Sequence, residues 1–270
     1  MTYRLIAMDL DGTLLRDDLS MSPRVLATLE RARQQDILLT LATGRGYPSM
    51  RSWARKLAIT TPVIGYQGAV VVDPQSHTPI YQRTFPRSLV ARLCDFAHAY
   101  SLSLTIYVND RIYVEDKRQP DEFYDKWFGL PFHVVDDLAA SIKADPTKFI
   151  IIGTGDELDR IRPEVERQFG KHLDIVRSHE YFLEGLSSGT NKGQALAWLA
   201  ERLGISRREV MAIGDSGNDK EMVAWAGLGV AMGNASAEAR SVADYIAPTV
   251  DEDGAAEAIE RFCLNGKKER

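Results

Sequence analysis

Short apolar runs and helical patterns alternate in the first part of the chain. The run Leu5–Met8 is apolar without alternation, which predicts a strand buried on both faces. Ser22 followed by Pro23 is typical of an N-cap and a proline in the first helical turn, and apolar residues then recur at helical spacing from Val25 onward. A second buried strand over 37–41 completes a strand, a crossover helix and a parallel strand.

The same alternation returns in the last third of the chain. A helix is predicted over 191–203, and Ser206 with Glu209 has the spacing of a capping box just before an apolar strand over 210–213. Further strands are predicted over 228–231 and 245–246, with helices near 235–242 and 254–264. These segments predict an α/β core with a doubly wound, Rossmann-type parallel sheet.

The middle of the chain follows a different pattern. Residues 103–108 and 111–115 alternate apolar and polar positions around Asn109 and Asp110, which indicates a β-hairpin. More strands and helices are predicted here, the strands over 148–152, 173–176 and 181–184 and the helices near 87–100, 121–128 and 157–169. We therefore predict an α+β domain over 81–186, inserted between core segments 1–80 and 187–270.

Composition excludes several classes of protein. The net charge of −5 over 270 residues argues against a general nucleic-acid binder, whose phosphate contacts need a basic surface. Cys94 and Cys263 lie far apart in apolar surroundings, so no disulfide framework or thiolate metal site is indicated. Without a signal peptide pattern or a membrane-length apolar run, we expect a cytoplasmic protein with no membrane partner, as a monomer or weak homo-oligomer.

Acidic residues follow two of the predicted core strands. Asp9 and Asp11 come directly after the first strand, and Asp215 and Asp219 follow the strand over 210–213. Ligands bind at the carboxyl ends of strands in open α/β sheets, so these acids are expected at one shared edge, where four hard oxygen donors suit Mg²⁺. Two simpler interpretations stay open: Asp-x-Asp-Gly is also a favoured turn, and Asp219 or its neighbour Asn218 can cap the next helix.

Groups able to bind a phosphate are expected at the same edge. Thr43 and Arg45 follow the second strand, Lys192 opens a helix, and Asn218 lies in the second acidic loop. Thr43, Lys192 and Asn218 can donate hydrogen bonds to a phosphate, and Lys192 can neutralise charge that develops on it. Thr43 can equally be a helix cap and Arg45 an ordinary surface cation. With the acids, the set predicts a phosphoryl-transfer site.

The order of the motifs Asp-x-Asp-Gly-Thr, Thr-Gly-Arg, Lys-Gly and Gly-Asp-x-x-Asn-Asp resembles the haloacid dehalogenase-like superfamily, specifically its Cof-type phosphatases of sugar phosphates and related metabolites. The resemblance covers nearly the whole chain and identifies the inserted domain as a cap. It implies Asp9 as nucleophile, Asp11 as acid/base and, through its carbonyl, a metal ligand, Asp215 as a further metal ligand, and Asp219 as a supporting residue. It also implies phosphate contacts from Leu10, Thr43, Gly44, Lys192 and Asn218.

The expected activity is Mg²⁺-dependent hydrolysis of a small phosphate monoester through an aspartyl-phosphate. A phosphotransferase or mutase using the same site is one alternative, and a receiver-like signalling module is another, although a receiver needs far fewer residues and no cap. One departure is visible, since this chain has Gln67-Gly68-Ala69 where many relatives have Asn-Gly-Ala at the entry to the cap. The departure puts contacts from this corner of the site in question, but not the chemistry.

Overall fold

A computed structural model describes residues 3–128 and 132–264, without the side chains of 125–127. Its strands are β1 (Leu5–Met8), β2 (Leu38–Leu41), β3 (Val63–Gly65), β4 (Val70–Asp73), β5 (Thr78–Gln82), β6 (Ser103–Val108), β7 (Arg111–Val114), β8 (Phe132–Val134), β9 (Lys148–Ile152), β10 (Leu173–His179), β11 (Phe182–Ser187), β12 (Val210–Gly214), β13 (Leu228–Ala231) and β14 (Tyr245–Ile246). Its helices are α1 (Pro23–Gln34), α2 (Tyr47–Lys56), α3 (Leu89–Ala99), α4 (Asp121–Phe128), α5 (Leu138–Ser141), α6 (Gly155–Phe169), α7 (Lys192–Arg202), α8 (Lys220–Trp225), α9 (Ala237–Arg240) and α10 (Gly254–Ile259). None of the helices within these ranges combines the length and hydrophobicity that a membrane crossing requires.

The main sheet is parallel throughout, with the strand order β14-β13-β12-β1-β2. Strand β1 lies between two partners that are far apart in sequence, because Leu5 pairs with Val210 on one side and with Leu38 on the other. All four residues of β1 are buried, as the apolar run predicts. The carboxyl ends of β1, β2 and β12 therefore meet at one edge of the sheet.

Helices cover both faces of this sheet. On one face, Leu5 packs in a buried cluster with Leu196 and Leu199 of α7. On the other face, Met211 of β12 lies opposite Ile6 in the ladder, and its sulfur is 3.4 Å from the sulfur of Cys263, which lies in the π-helical segment Glu260–Leu264 that continues α10. The predicted doubly wound α/β class is confirmed.

Local signals in the sequence account for the start of the first crossover helix. Ser22 is the N-cap of α1, and its hydroxyl accepts a hydrogen bond from the backbone N–H of Val25 at 3.1 Å. Pro23 occupies the first turn, where its missing N–H has no helical partner to lose. The helix then buries Val25, Leu29 and Ala32, which confirms the predicted periodicity.

A small antiparallel sheet, with the order β3-β4-β5, lies beside the main sheet. The parallel link from β3 to the segment after β2 is a single bridge between Ala42 and Ile64. The sequence pattern does not predict β5, because its five residues are exposed or half-buried and show no alternation. The chain thus turns back after β3, which places Tyr66, Gln67 and Gly68 close to the end of β2.

The middle of the chain forms a six-stranded sheet with the order β10-β11-β9-β6-β7-β8. Its ladders are antiparallel except for β7 with β8, and Asn109 and Asp110 form the predicted hairpin turn with φ of 50° and 58°. Alternate strand residues pack against α3, α5 and α6, as Ile106 and Phe149 do in the buried cluster of this unit. Strand β8 and helix α5 were not predicted, because both are short.

The chain divides into two compact units, the first comprising 1–44, 50–81 and 191–270 and the second 45–49 and 82–190. Each has its own buried cluster. The domain boundaries expected from the sequence, after residues 80 and 186, stay a prediction, because compactness alone does not show which segments fold independently.

Candidate active site

The loop after β1 presents Asp9 at the carboxyl edge of the main sheet. The Asp9 backbone N–H donates to the carbonyl of Ile213 at 3.0 Å, which extends the ladder by one residue beyond β1. The carbonyl of Leu10 then accepts bonds from Leu14 and Leu15 at 3.0 and 2.8 Å, so the chain curls tightly. As a result Asp9 as a whole residue is only 4% exposed, whereas Asp11 lies on the exposed side of the loop.

The first acidic loop contacts the second one directly. Gly12 has φ of +80°, and a Cβ at this position would lie 2.5 Å from a carboxylate oxygen of Asp215. The hydroxyl of Thr13 donates to the other carboxylate oxygen of Asp215 at 2.8 Å. Position 12 therefore requires glycine for two reasons, its positive φ and the close approach of the Asp215 carboxylate.

Lys192 brings a positive charge to Asp9. Asn191 caps α7 through its side chain, which accepts from the N–H of Gln194 at 2.8 Å, and this places Lys192 at the first helical position. The Lys192 Nζ donates to Asp9 Oδ1 and to Asp219 Oδ1, both at 2.7 Å. Because the lysine is 1% exposed, this is a buried ion pair shared between two carboxylates.

Asp219 supports both the lysine and the second acidic loop. Its Oδ2 accepts from the backbone N–H groups of Asp215 and Ser216, each at 3.0 Å, while its Oδ1 accepts from Lys192. Neither Asp219 nor Asn218 caps α8 with its side chain; Asp219 instead closes a capping box with Ser216 on the short turn before α8. Asp219 is fully buried, so its carboxylate shapes the site rather than facing a ligand.

The crowding of these charges shifts their pKa values. Burial is the main cause that raises the pKa of Asp9 well above its ordinary value; Lys192 opposes the shift, and the charges of Asp219 and Asp215 add to it. Burial, followed by the charge of Asp219, raises the pKa of Asp215 to about 7. Burial alone would lower the pKa of Lys192, but Asp219 and Asp9 outweigh it and raise that pKa above its usual range.

One carboxylate oxygen from each of Asp9, Asp215 and Asp219 lies within 4.8 Å of the other two. An oxygen-only donor set fits a hard cation such as Mg²⁺, and a divalent charge here would relieve the repulsion between the carboxylates. Since both oxygens of Asp219 accept hydrogen bonds, Asp9 and Asp215 are the carboxylates suited to hold the ion. The Asp11 carboxylate lies outside this cluster, so a part for Asp11 in metal binding, through its carbonyl, stays a prediction.

The expected phosphate-binding residues are placed as follows. Thr43 is 1% exposed, and its N–H donates to the carbonyl of Ile64 at 3.0 Å, so Thr43 and Gly44 continue β2 at the edge where Asp9 lies. Asn218 is half-buried, and its side-chain oxygen accepts from the Ser216 hydroxyl at 2.6 Å.

Leu10 and Arg45 are the two remaining residues expected to contact the phosphate. Leu10 has a fully buried side chain. Arg45 belongs to the second compact unit, where its guanidinium lies 3.4 Å from the hydroxyl of Ser49. The roles of both residues stay predictions.

Two residues of this site were not predicted as functional. Thr13 stands inside the quoted motif, and its bond to Asp215 could be suspected from the motif alone. The sequence shows Gln67 only as a departure from the Asn-Gly-Ala motif, but in the structure it is 6% exposed and lies against Gly44. Its position depends on the antiparallel return of the chain after β3, which the sequence pattern does not reveal.

Several known proteins are similar to this chain over most of its length. The model of a family described as haloacid dehalogenase-like hydrolase matches residues 6–259. A Bacillus subtilis relative named 5-amino-6-(5-phospho-D-ribitylamino)uracil phosphatase is 30% identical over 264 residues, which cover 96% of this chain and 97% of the relative. A Serratia proteamaculans relative named HMP-PP phosphatase is 30% identical over 241 residues, 89% of this chain and 87% of the relative.

A solved structure shows the same fold. A haloacid dehalogenase-like hydrolase from Bacteroides thetaiotaomicron superposes with a TM-score of 0.88 at 34% identity, covering 96% of this chain and 99% of its own. The resemblance stated from the motifs is thus confirmed, as is the expectation of a phosphoric monoester hydrolase. The chain belongs to the haloacid dehalogenase-like hydrolase family.

Proposed function

We propose that this protein is a Mg²⁺-dependent phosphatase that hydrolyses phosphate monoesters of small metabolites through a phosphoaspartate on Asp9. The observation that carries the proposal is the buried Asp9 carboxylate at a strand end, with Lys192 Nζ at 2.7 Å and the Asp215 carboxylate beside it. The names of the relatives support the substrate class, since the Bacillus subtilis and Serratia proteamaculans proteins are named as phosphatases of small phosphorylated molecules.

In the first step, a carboxylate oxygen of Asp9 attacks phosphorus while the bond from phosphorus to the ester oxygen breaks. The electron pair leaves on that oxygen, and Asp11 donates the proton that turns it into an alcohol. Asp11 suits this part because it lies on the exposed side of the loop, two residues from the nucleophile. Lys192 holds the charged form of Asp9 and offsets negative charge as it develops on the phosphoryl group.

In the second step, a water molecule attacks the phosphoaspartate and Asp11 takes its proton back. The bond between Asp9 and phosphorus breaks, so the free carboxylate and inorganic phosphate are released. Thr43, the backbone of Gly44 and Asn218 hold the phosphoryl oxygens in both steps, and Leu10 contributes its backbone. Asp219 keeps Lys192 and the loop of Asp215 in place through hydrogen bonds from the lysine and from the backbone N–H groups of Asp215 and Ser216.

Enzymes of this family generally use a metal ion, usually Mg²⁺, and the donor set fits one. Asp9 and Asp215 would hold the ion through their carboxylates and Asp11 through its backbone carbonyl. When bound, it supplies positive charge that favours the ionised form of Asp9 and the approach of an anionic substrate.

The proposal is tested by trapping the covalent intermediate. Wild-type protein is mixed with radiolabelled substrate and Mg²⁺, quenched in acid within milliseconds, and assayed for protein-bound phosphate, which peptide mass spectrometry then locates. We expect label on Asp9, and neither label nor turnover for Asp9→Asn.

Asp17→Asn is the matched control, since Asp17 is an exposed acid in the same segment. Label on another residue, or undiminished turnover in excess chelator, would refute the mechanism. Release of an isomeric phosphate ester in place of free phosphate would show a mutase.

A further inference from the structure

Gln67 has an unusual backbone and a buried side chain. It follows β3 with φ of 58°, directly after Tyr66 with φ of 50°, and it is 6% exposed. The left-handed region costs a residue with a Cβ about 1–2 kcal/mol. Its backbone N–H donates to the carbonyl of Thr43 at 3.1 Å, which fixes the turn against the end of β2.

The carboxamide of Gln67 lies at the corner where we propose that the phosphate binds. A Cβ on Gly44 would lie 2.5 Å from Gln67 Nε2 and 3.5 Å from Oε1, so the amide covers the Gly44 backbone. A Cβ on the next residue, Gly68, would lie 2.3 Å from the carbonyl oxygen of Asn191 and 3.0 Å from the nitrogen of Lys192. Gln67 therefore stands between the Thr43 loop and the start of α7.

The side-chain oxygen of Gln67 is buried and accepts no hydrogen bond within the described residues. Leaving a buried acceptor unsatisfied costs about 1–3 kcal/mol, so such groups call for an explanation. A phosphate dianion offers no N–H or O–H, and its oxygens repel another acceptor. The partner that fits is a hydroxyl or amino group on the alcohol portion of the substrate, next to the ester.

We infer that Gln67 determines specificity by accepting a hydrogen bond from a hydroxyl or amino group close to the phosphate ester. The inference rests on the proposed function and assigns to Gln67 the selection of substrates that carry such a donor over simple alkyl phosphates. A substrate without this donor leaves Gln67 Oε1 without a hydrogen bond in the complex as well, so Gln67 adds nothing to its binding free energy.

Glycerol 3-phosphate and propyl phosphate test this directly, because they differ only in two hydroxyl groups. For the wild type we expect kcat/KM to favour glycerol 3-phosphate by about tenfold or more, the effect of one hydrogen bond to a buried acceptor. Gln67→Met keeps the length of the side chain and removes the acceptor. We expect this variant to lose the preference, because kcat/KM falls much more for glycerol 3-phosphate than for propyl phosphate.

Stability separates this role from a structural one. If Oε1 serves only a substrate, Gln67→Met removes an unsatisfied buried group from the free protein, so its Tm stays unchanged or rises by about 2–4 °C. Gln35→Met is the matched control, because the Gln35 side-chain oxygen is also buried and has no hydrogen-bond partner among the residues that the structure describes. Gln35 precedes β2, so it lies at the opposite edge of the sheet. We expect it to leave the substrate preference intact.

Three results would overturn the inference: no preference in the wild type, an equal loss with both substrates in Gln67→Met, or a large fall in Tm. An equal loss accompanied by weaker inhibition by inorganic phosphate would assign the amide to the phosphate itself. Failure of the proposed function looks different, since the wild type would then hydrolyse no phosphomonoester at all, aryl phosphates included.

Discussion

Replacing Lys192 by methionine removes a cation that lies between two buried carboxylates, those of Asp9 and Asp219. The Lys192, Asp9 and Asp219 side chains are 1%, 6% and 0% exposed, so solvent does little to screen their charges. Removing one partner of a buried ion pair typically costs about 3–5 kcal/mol, because the remaining charge is left uncompensated. For a protein of this size each kcal/mol lowers Tm by about 2–4 °C, so we expect a fall of about 6–20 °C.

The assay is thermal unfolding in chelator, followed by phosphatase kinetics with Mg²⁺. We expect kcat to fall by about 10²-fold or more, as when a positioned charge is lost from a water-poor site. Lys220→Met is the control, since Lys220 is an exposed lysine that also opens a helix of the first unit. Asp219→Asn added to Lys192→Met removes one of the two stranded charges, so the double variant is expected to be more stable than additivity predicts.

A fall in Tm no larger than that of Lys220→Met would refute the reasoning, since the buried pair would then contribute nothing to stability. Strict additivity of Lys192→Met and Asp219→Asn would refute it as well. If Lys192→Met kept the wild-type kinetics, Lys192 would have no part in catalysis.

Three further predictions concern an acid, a glycine and the thiols. Asp11→Asn is expected to slow hydrolysis of a sugar phosphate by about 10²–10⁴-fold but that of an aryl phosphate far less, because a phenolate leaves without protonation. Equal rate losses for the two substrates in rapid-quench kinetics would show that Asp11 is not the acid. Gly12→Ala is expected to lower Tm more than Gly204→Ala. Both glycines have a positive φ, but a Cβ at position 12 would lie 2.5 Å from a carboxylate oxygen of Asp215, whereas a Cβ at position 204 meets no atom within 4 Å. Equal falls in Tm would contradict that contact. Cys94 and Cys263 are expected to resist a disulfide reagent at pH 8 in the native state, because burial raises both pKa values to about 12; rapid labelling without unfolding would contradict this.

Much of the fold follows from local sequence signals. The bounds of β1, the N-cap at Ser22 and the hairpin turn at Asn109 and Asp110 are confirmed, because each depends on a few adjacent residues. The sequence pattern does not reveal β5, because its residues are exposed or half-buried. It does not reveal β8 either, because this strand is short, half-buried or exposed, and last in the order of its sheet.

The site could be predicted as a set of loops but not as a set of contacts. Strand ends alone indicate that Asp9, Thr43 and Asp215 share an edge. The two hydrogen bonds from Lys192, one to Asp9 and one to Asp219, depend on how deeply the start of α7 is buried. That depth results from the packing of α7 against the sheet. The side-chain oxygen of Gln67 lacks a hydrogen-bond partner among the described residues because the backbone at Tyr66 and Gln67 is left-handed. Neither residue type indicates that conformation in the sequence.

The position of β1 between β2 and β12 also sets the order in which the chain can fold during synthesis. One side of β1 pairs with a strand nearby in sequence, but the other waits for β12, roughly 200 residues later, which takes about 10–40 s at about 5–20 residues per second. For that interval β1 has an unpaired apolar edge, the kind of surface that promotes aggregation. The α+β unit, whose main segment is 82–190, emerges complete in the meantime and has its own core. The nascent chain therefore carries Asp9 before it carries Lys192 or Asp215, and no active site exists until the last third has been made.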